Sequence, residues 1–497
     1  MTAIAAEPET VATSADVAVT DRPGQVEVHG IDFILEAERH GRARELFAVW
    51  AASNITYLYI VVGGAMILLG LNPWQAMAVV VAGNLFWALV GVLAASGPSS
   101  GTPSSVVQRA MYGIRGNRVN VAIVGWGISV AYEAINLAIG SLAGFALVEQ
   151  LGMTASMPVK IAIVVVTAVV TLTISVYGHA TIVRLSTPFT VVLTACVAVL
   201  AVFVVRHADW HYAPATALHG GALWATALIG LTIIASGPLS WGVSADYARY
   251  LPAATSPRAV AGWTAVGGFV PSVLLGGLGV LAGTAVDMTD PQTSLGAILP
   301  SWFYPVFLLV IVIGSITNNV LTAYSSGLAL QAVGIPWSRA VTVFFDGAVG
   351  VAITCYALFL SNFLDTLNNI LAMSVALLAP SLTIYAADIL LRRNRYNGRD
   401  LHDETPGSPF WFTGGVNWAG VIAQVVGTTV SVLCMDTTLV VGPVARSLGG
   451  ADLSALAGPV VAAAVYTTAT VLARRRATVR RPERVPSAWA PVALAVD

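Results

Sequence analysis

The chain has 497 residues, of which 57% are hydrophobic and only 10% are charged, and its formal net charge is −1. Soluble domains usually carry charge on about a quarter of their residues, so the composition excludes an ordinary soluble protein. Apolar runs of about 20 residues recur along the chain, and each is long enough to cross a hydrocarbon core roughly 30 Å thick. The ten-residue alternating segments of a β-barrel are missing from the sequence. We therefore predict an all-α polytopic membrane protein.

The apolar runs predict twelve transmembrane helices and the regions between them. Residues 1–40 are predicted to be a disordered tail, and 476–497 form a second tail. A ten-helix core over 41–395 is followed by a loop and two more helices within 396–475. The predicted spans lie near 47–71, 74–96, 117–149, 159–181, 188–206, 222–248, 259–286, 301–332, 338–361, 364–392, 412–434 and 455–474.

The basic residues indicate how the chain is oriented. With the N-terminus in the cytoplasm, all but three of the 24 Lys and Arg residues fall on the cytoplasmic side. The three exceptions are Lys160, Arg206 and Arg446. This partition follows the positive-inside rule, so we expect a multi-pass protein of the cytoplasmic (inner) membrane with both termini in the cytoplasm.

No sequence pattern points to an enzyme, a cofactor or a bound metal. The three cysteines, Cys196, Cys355 and Cys434, lie singly in apolar runs and lack metal-ligand spacing. The zinc-protease, phosphate-loop and hydrolase-elbow motifs do not occur in their required contexts. We expect the lipid bilayer and a small molecule as partners, with no nucleic acid and no obligate protein partner.

The third span carries a polar stripe near its midpoint. Ser129, Tyr132, Glu133, Asn136 and Gly140 recur at helical spacing. A carboxylate at the bilayer centre costs at least about 2.5 kcal/mol, so the glutamate needs a partner, a proton or water. It either ties two helices together or serves a site by accepting substrate N–H groups or a proton.

The eighth span carries a second stripe of the same periodicity. Its members are Ser315, Asn318, Asn319, Thr322 and Ser326. Asparagine amides both donate and accept hydrogen bonds, which suits a small heterocycle with amide-like edges. Hydrogen bonding between helices is the alternative.

Two spans contain residues that interrupt a helix. The first has Asn54 midway and Gly63-Gly64 after it, and the sixth has Gly237-Pro238 followed by Ser240-Trp241. Interrupted segments in corresponding positions of two halves are typical of a transporter binding site, and spans one and six are five apart. A plain proline kink in span six is the alternative. Near the end of span ten, Asp388 is expected to pair with Arg392.

Five local patterns together resemble the nucleobase:cation symporter-1 permeases, the purine-cytosine permease group, over about residues 40 to 475. They are VQRAMYGIRGNRVN, WGISVAYEAINLAIG, SWGVSADYARYLP, TNNVLTAYSSGLALQ and, more weakly, YAADILLRRNRYNGRDL. The resemblance implies a leucine-transporter-type fold. In that fold two inverted five-helix repeats, here about 47–206 and 222–392, precede two extra helices.

The resemblance also implies a substrate site midway across the membrane. Tyr132 matches the stacking aromatic position, where tryptophan is more usual, and Asn136 matches the polar position four residues later. Trp241 is the candidate aromatic of span six, where Gly237 and Ser240 flank the break. Asn318 and Asn319 match the amides of span eight, whereas Thr322 stands where a further amide is usual.

We therefore expect a secondary active symporter that imports a nucleobase or related heterocycle. The resemblance implies that sodium, where it is the coupling ion, is held by two consecutive hydroxyl residues of span eight and by backbone carbonyls of span one. Ile316-Thr317 stands at the position of the hydroxyl residues, which leaves Thr317 as the candidate ligand, and proton coupling through Glu133 is the alternative. Allantoin, a hydantoin, a vitamin-like heterocycle or an amino acid are alternative substrates on the same fold. A non-transporting membrane sensor is the alternative from another class.

Overall fold

The computed structural model describes residues 22–289, 291–360 and 363–479, without the side chains of 363–369, 372 and 476–479. The long helices are α1 (Glu45–Asn54), α2 (Tyr57–Leu68), α3 (Pro73–Ser100), α4 (Ile114–Gln150), α5 (Met157–Tyr177), α6 (His179–His207), α7 (Gly220–Leu239), α8 (Pro257–Gly283), α9 (Tyr304–Ala332), α10 (Arg339–Phe359), α11 (Phe363–Arg392), α12 (Trp418–Leu433) and α13 (Ser454–Val479). Part of α4 is a π-helix, Val121–Gly127, which we call the π-segment.

Each predicted span corresponds to a helical element. Within the described residues, ten helices are long and apolar enough to cross a membrane. A further span is formed by α1 and α2 together, which are bent by 58° to each other. The shorter apolar helix α12 stands where the eleventh span is predicted. The all-α membrane architecture follows from the hydrophobic runs, because a helix satisfies its own backbone groups within lipid.

The break in span one lies at Ile55-Thr56, between α1 and α2. The side chain of Asn54 stabilises it: its Nδ2 donates to the carbonyl of Trp50 at 2.7 Å, and its Oδ1 accepts from the Tyr59 hydroxyl at 2.9 Å. Gly63-Gly64 lies beyond the break, inside α2, where it packs against other helices.

The break in span six lies one turn later than predicted. Gly237 and Pro238 are still within α7, which ends at Leu239. The chain then turns and resumes as a single 3-10 turn, Ser244–Tyr247. Proline removes only its own N–H donor, and the next turn still closes because the Ser240 N–H donates to the Ser236 carbonyl at 3.1 Å. The break is therefore at residues 240–243, after the Gly-Pro pair.

The helices form two packed groups and a peripheral pair. In one group, α4 and α5 pack with α9 and α10. In the other group, α1, α2 and α3 pack on α8, and α7 packs on α3. The last two helices, α12 and α13, pack on α11. The predicted pair of Asp388 and Arg392 is confirmed at 2.8 Å, and the Tyr466 hydroxyl of α13 donates to the same carboxylate at 2.7 Å.

Glycines allow the closest helix contacts. A Cβ on Gly279 of α8 would overlap the Ile60 carbonyl of α2, and one on Gly63 would overlap the Gly276 carbonyl. A Cβ on Gly267 would lie 2.9 Å from the Phe47 carbonyl oxygen of α1. Glycine is required here because the two backbones approach too closely for a side chain.

Residues 22–40 correct the prediction of a disordered tail over 1–40, whose first 21 residues lie outside the described residues. Glu27 is buried at one end of the helix bundle. Its carboxylate lies 3.1 Å from Arg249 and 3.3 Å from Arg339, and it accepts from the hydroxyls of Tyr250 at 2.6 Å and Tyr324 at 3.1 Å. Burial alone would raise the pKa of Glu27, but the two guanidinium groups outweigh it and hold the pKa at about 2.

Candidate functional site

A cavity lies where the two helix breaks face each other. Thr56 and Tyr59 reach it from the first break, and Ser240 and Trp241 reach it from the second. Helices α4, α9 and α11 complete the wall. Other residues that line the cavity are Leu58, Gln108, Val124, Gly125, Ile128, Ser129, Tyr132, Asn136, Gly237, Gly242, Val243, Asn318, Thr322, Ser325, Leu378, Ser381 and Leu382.

Seven of the ten residues predicted to bind substrate line this cavity. They come from separate helices that meet only in the folded chain. These residues are Tyr132, Asn136, Gly237, Ser240, Trp241, Asn318 and Thr322.

An amide pair joins α4 and α9 at the cavity wall. The Nδ2 of Asn136 donates to the Oδ1 of Asn318 at 2.7 Å. The Nδ2 of Asn318 in turn donates to the Ser53 carbonyl of α1 at 2.7 Å. Each amide has two donor hydrogens and two acceptor lone pairs, so these bonds orient the side chains without using all their capacity. The pair can therefore still bind a polar ligand edge.

Two aromatic side chains at the cavity are held in fixed orientations. The Tyr132 hydroxyl donates to the Ser236 carbonyl at 3.2 Å and lies 3.0 Å from the Ser374 hydroxyl. Trp241 packs edge-on against Trp50, with ring centroids 5.2 Å apart and an interplanar angle of 81°. A planar ligand in the cavity would meet aromatic surface from both α4 and the span-six break.

Three residues of the predicted site do not line the cavity. Asn54 is buried within the break, where it bonds Trp50 and Tyr59. Glu133 is fully buried on another face of α4, since a Cβ on Gly350 of α10 would lie 3.2 Å from its Cδ. Asn319 is buried next to Asn318 but is absent from the cavity wall. Consecutive helical residues point about 100° apart, so Glu133 and Asn319 turn away from the face that their neighbours occupy.

The sequence reading missed several cavity residues. Gln108 lies before α4 and accepts from the Asn120 side chain at 2.9 Å. Ser325 lies 2.8 Å from the Tyr247 hydroxyl, and Ser381 comes from α11. A signal existed for Gln108, because it stands in the quoted VQRAMYGIRGNRVN pattern. Ser325 likewise stands in the quoted TNNVLTAYSSGLALQ pattern, whereas Ser381 is a single serine in an apolar helix outside the quoted patterns.

Comparison with known proteins identifies the chain. Residues 34–458 match the family described as permease for cytosine/purines, uracil, thiamine, allantoin. The chain belongs to this family. It is therefore a transporter and not an enzyme, and the predicted membership of the nucleobase:cation symporter-1 permeases is confirmed.

Individual relatives of this permease agree with that assignment. It is 25% identical over 464 residues to YxlA of Bacillus subtilis (strain 168), which carries the name purine-cytosine permease, with 89% of this chain and 95% of the relative covered. Its fold is similar to Mhp1, a nucleobase-cation-symport-1 family transporter, in a closed conformation with bromovinylhydantoin bound. The TM-score is 0.73 at 18% identity, covering 92% of this chain and 96% of Mhp1. The inward-facing conformation of Mhp1 gives 0.67 at 18% identity, with 91% and 96% covered. These likenesses confirm the predicted leucine-transporter-type fold.

Thr317 of the permease lies behind the cavity, at the first break. Its hydroxyl lies within hydrogen-bonding distance of two carbonyl oxygens, that of Gly314 at 2.9 Å and that of Ala52 at 3.1 Å, and can donate to either. Backbone carbonyls at the break of an interrupted helix coordinate the ion in transporters with broken helices. Ala52 lies in the last turn of α1, before the break, whereas Gly314 lies within the continuous helix α9. Ile316 supplies no side-chain oxygen, so Thr317 and the carbonyls would have to bind such an ion alone.

Proposed function

We propose that this permease imports a nucleobase, cytosine or a purine, or a closely related nitrogen heterocycle. Transport is coupled to H⁺ or Na⁺ and proceeds by alternating access. The observation that carries the proposal is a cavity between two helix breaks that combines aromatic surface with an oriented amide pair. The family description and the name of the Bacillus relative point to the same class of substrate.

In this proposal, different walls of the cavity recognise the planar ring of the substrate and its hydrogen-bonding groups. Tyr132 and Trp241 stack on the ring, while Asn136 and Asn318 bond its donors and acceptors. Thr322 adds a hydroxyl to the polar wall. A Cβ on Gly237 would come within 2.9 Å of the Tyr59 hydroxyl, so glycine keeps space open beside the second break.

The permease is proposed to lie in the cytoplasmic membrane with both termini inside the cell. The distribution of Lys and Arg supports this orientation. It places Glu27 and its two arginines at the cytoplasmic end of the bundle. Allantoin and hydantoins, which present amide-like edges, fit the same amide pair. An amino acid without an aromatic side chain would leave the two aromatic walls without a ring to stack on.

Uptake into proteoliposomes tests the proposal. Labelled bases, hydantoins and amino acids are offered in turn, with pH and Na⁺ gradients imposed separately. We expect concentrative uptake of a heterocycle under one gradient. A purified protein that binds a heterocycle but never accumulates it would exclude the symporter.

Two adjacent asparagines provide a matched pair for the site. Asn318→Ala should weaken substrate binding by about 1–3 kcal/mol because it removes a buried hydrogen-bonding group from the cavity. Asn319→Ala removes the same side chain from the neighbouring position, which does not line the cavity, and should leave affinity nearly unchanged. The opposite ranking in thermal-shift titrations would reject this cavity as the substrate site.

A further inference from the structure

Two acidic side chains lie together inside the bundle, away from the cavity. Glu133 of α4 and Asp346 of α10 are each 0% exposed, and their carboxyl groups contact each other. Glu133 stands near the middle of α4, where it lies over Gly350, one helical turn after Asp346. We call these two residues the acid pair.

The acid pair has no positive partner in the part of the chain that the structure describes. Trp126 Nε1 donates to Asp346 Oδ1 at 2.8 Å, and Ser326 of α9 lies beside the same carboxyl. Among the described residues, no N–H or O–H donor bonds to either oxygen of Glu133 or to the second oxygen of Asp346. Within the described residues, α4, α9 and α10 bring no other charged group to the two carboxyl groups.

These contacts set the charge state of the pair. Two ionised carboxylates offer only acceptors, so they repel and cannot hydrogen-bond each other. A single proton converts one of them into a donor and removes one of two buried charges. Uncompensated charge at membrane depth is costly, so the pair is stable only when it holds at least one proton.

The helix that carries Glu133 also forms a wall of the substrate cavity. Tyr132 lines the cavity, and the next residue, Glu133, belongs to the acid pair. In the π-segment, Gly125 lines the cavity and the next residue, Trp126, donates to Asp346. Single-turn π-helices are often found at functional sites. A displacement of α4 by the substrate would therefore also change the surroundings of both acids.

We propose that Glu133 and Asp346 together bind the transported proton, which makes this permease a proton symporter; the inference rests on the proposed function. The pair exchanges one proton per cycle: a carboxylate takes up H⁺ to become a carboxylic acid and later releases it. No other reactant is needed. The competing explanation is a permanently shared proton that only fastens α4 to α10.

Glu133→Gln separates the two explanations. The variant keeps a donor and an acceptor beside Asp346 but cannot exchange the proton. With labelled cytosine and hypoxanthine as probes, uptake driven by an imposed pH gradient should fall about tenfold or more, while counterflow exchange without a gradient stays within about twofold. Glu149→Gln, the same substitution at the exposed end of α4, is the matched control and should behave as wild type.

Gradient-driven uptake that survives in Glu133→Gln overturns the proposal. So does a loss of gradient-driven uptake and counterflow in equal measure by both Glu133→Gln and Asp346→Asn, because a fastening role alone predicts that result. If neither variant folds, infrared spectroscopy of the wild-type protein decides. The C=O band of a buried carboxylic acid should disappear as pH is raised, and a band that persists at all pH values at which the protein stays folded refutes proton exchange.

The infrared measurement needs no substrate, so it also separates the two proposals. A titrating band in a protein that transports neither probe would contradict the proposed substrate class and leave the proton site standing. Uptake that follows only a Na⁺ gradient, with no titrating band, would contradict the proton site and leave nucleobase transport standing.

Discussion

Replacing Glu27 by glutamine should strongly destabilise the end of the bundle where the N-terminal segment docks. The carboxylate is buried between Arg249 and Arg339, which are 0% and 3% exposed. The substitution leaves both guanidinium groups without their anion. Breaking a buried ion pair by removing one partner is strongly destabilising, because it leaves an uncompensated charge.

The magnitude follows from the environment of the carboxyl. Burial raises its pKa, but Arg339 and Arg249 outweigh burial and lower the pKa from 4.5 to about 2. This difference corresponds to about 3 kcal/mol of stabilisation of the charged form. Because the folded pKa is depressed, the stabilisation is complete above pH 4.5 and is lost as the pH falls towards about 2.

The assay is unfolding of the purified protein in mixed micelles by titration with sodium dodecyl sulfate, followed by tryptophan fluorescence. Glu27→Gln should lower the free energy of unfolding by about 3 kcal/mol at neutral pH. The deficit should shrink as the pH falls below 4.5. The control is Glu36→Gln in the same segment, whose side chain is 61% exposed although it lies 3.3 Å from Arg39. Arg39 is only 4% exposed, but the Glu36 carboxylate is screened by solvent, so this ion pair contributes about 0–1 kcal/mol. Equal stability of the two variants would refute the reasoning.

Three further substitutions test the packing, the ion and the aromatic wall. Gly279→Ala places a methyl group against the Ile60 carbonyl and should cost about 1–3 kcal/mol in the same titration, whereas Gly262→Ala, on the same helix with open space around it, should cost nothing; equal losses would contradict the close contact. Thr317→Ala should leave pH-driven uptake intact, and a loss that high Na⁺ restores would assign coupling to sodium instead. Tyr132→Phe keeps the ring and loses only the hydroxyl bonds, so binding measured by thermal shift should weaken less than in Tyr132→Ala; equal losses would argue against stacking.

The membrane helices could be predicted from sequence because the bilayer dictates their length and polarity. The sequence could not show which of two neighbouring polar residues on a helix faces the cavity. Tyr132 and Glu133 fall in one polar stripe by spacing, yet the structure turns the first to the cavity and the second to α10. A stripe two residues wide covers about 100° of a helix, which is enough to reach both neighbours.

Long-range charge pairing was invisible in the sequence for another reason. Glu27 lies in a polar stretch that resembles a disordered tail, and its partners Arg249 and Arg339 are more than 200 residues away. Local composition cannot report such contacts. Asp388 and Arg392 could be paired from sequence because one helical turn separates them.

The glycine contacts of α8 extend along both halves of the broken span one. Gly267 faces Phe47 before the break, whereas Gly279 faces Ile60 and Gly283 faces Ile67 after it. Helix α8 thus packs against both halves of span one and fixes the 58° bend between them. The two halves of span one cannot hinge freely about Ile55-Thr56 while these contacts hold. Any motion that opens the cavity at this point must move α8 together with span one or slide α8 along a closely packed backbone. The rigid unit on this side therefore includes at least the three segments α1, α2 and α8.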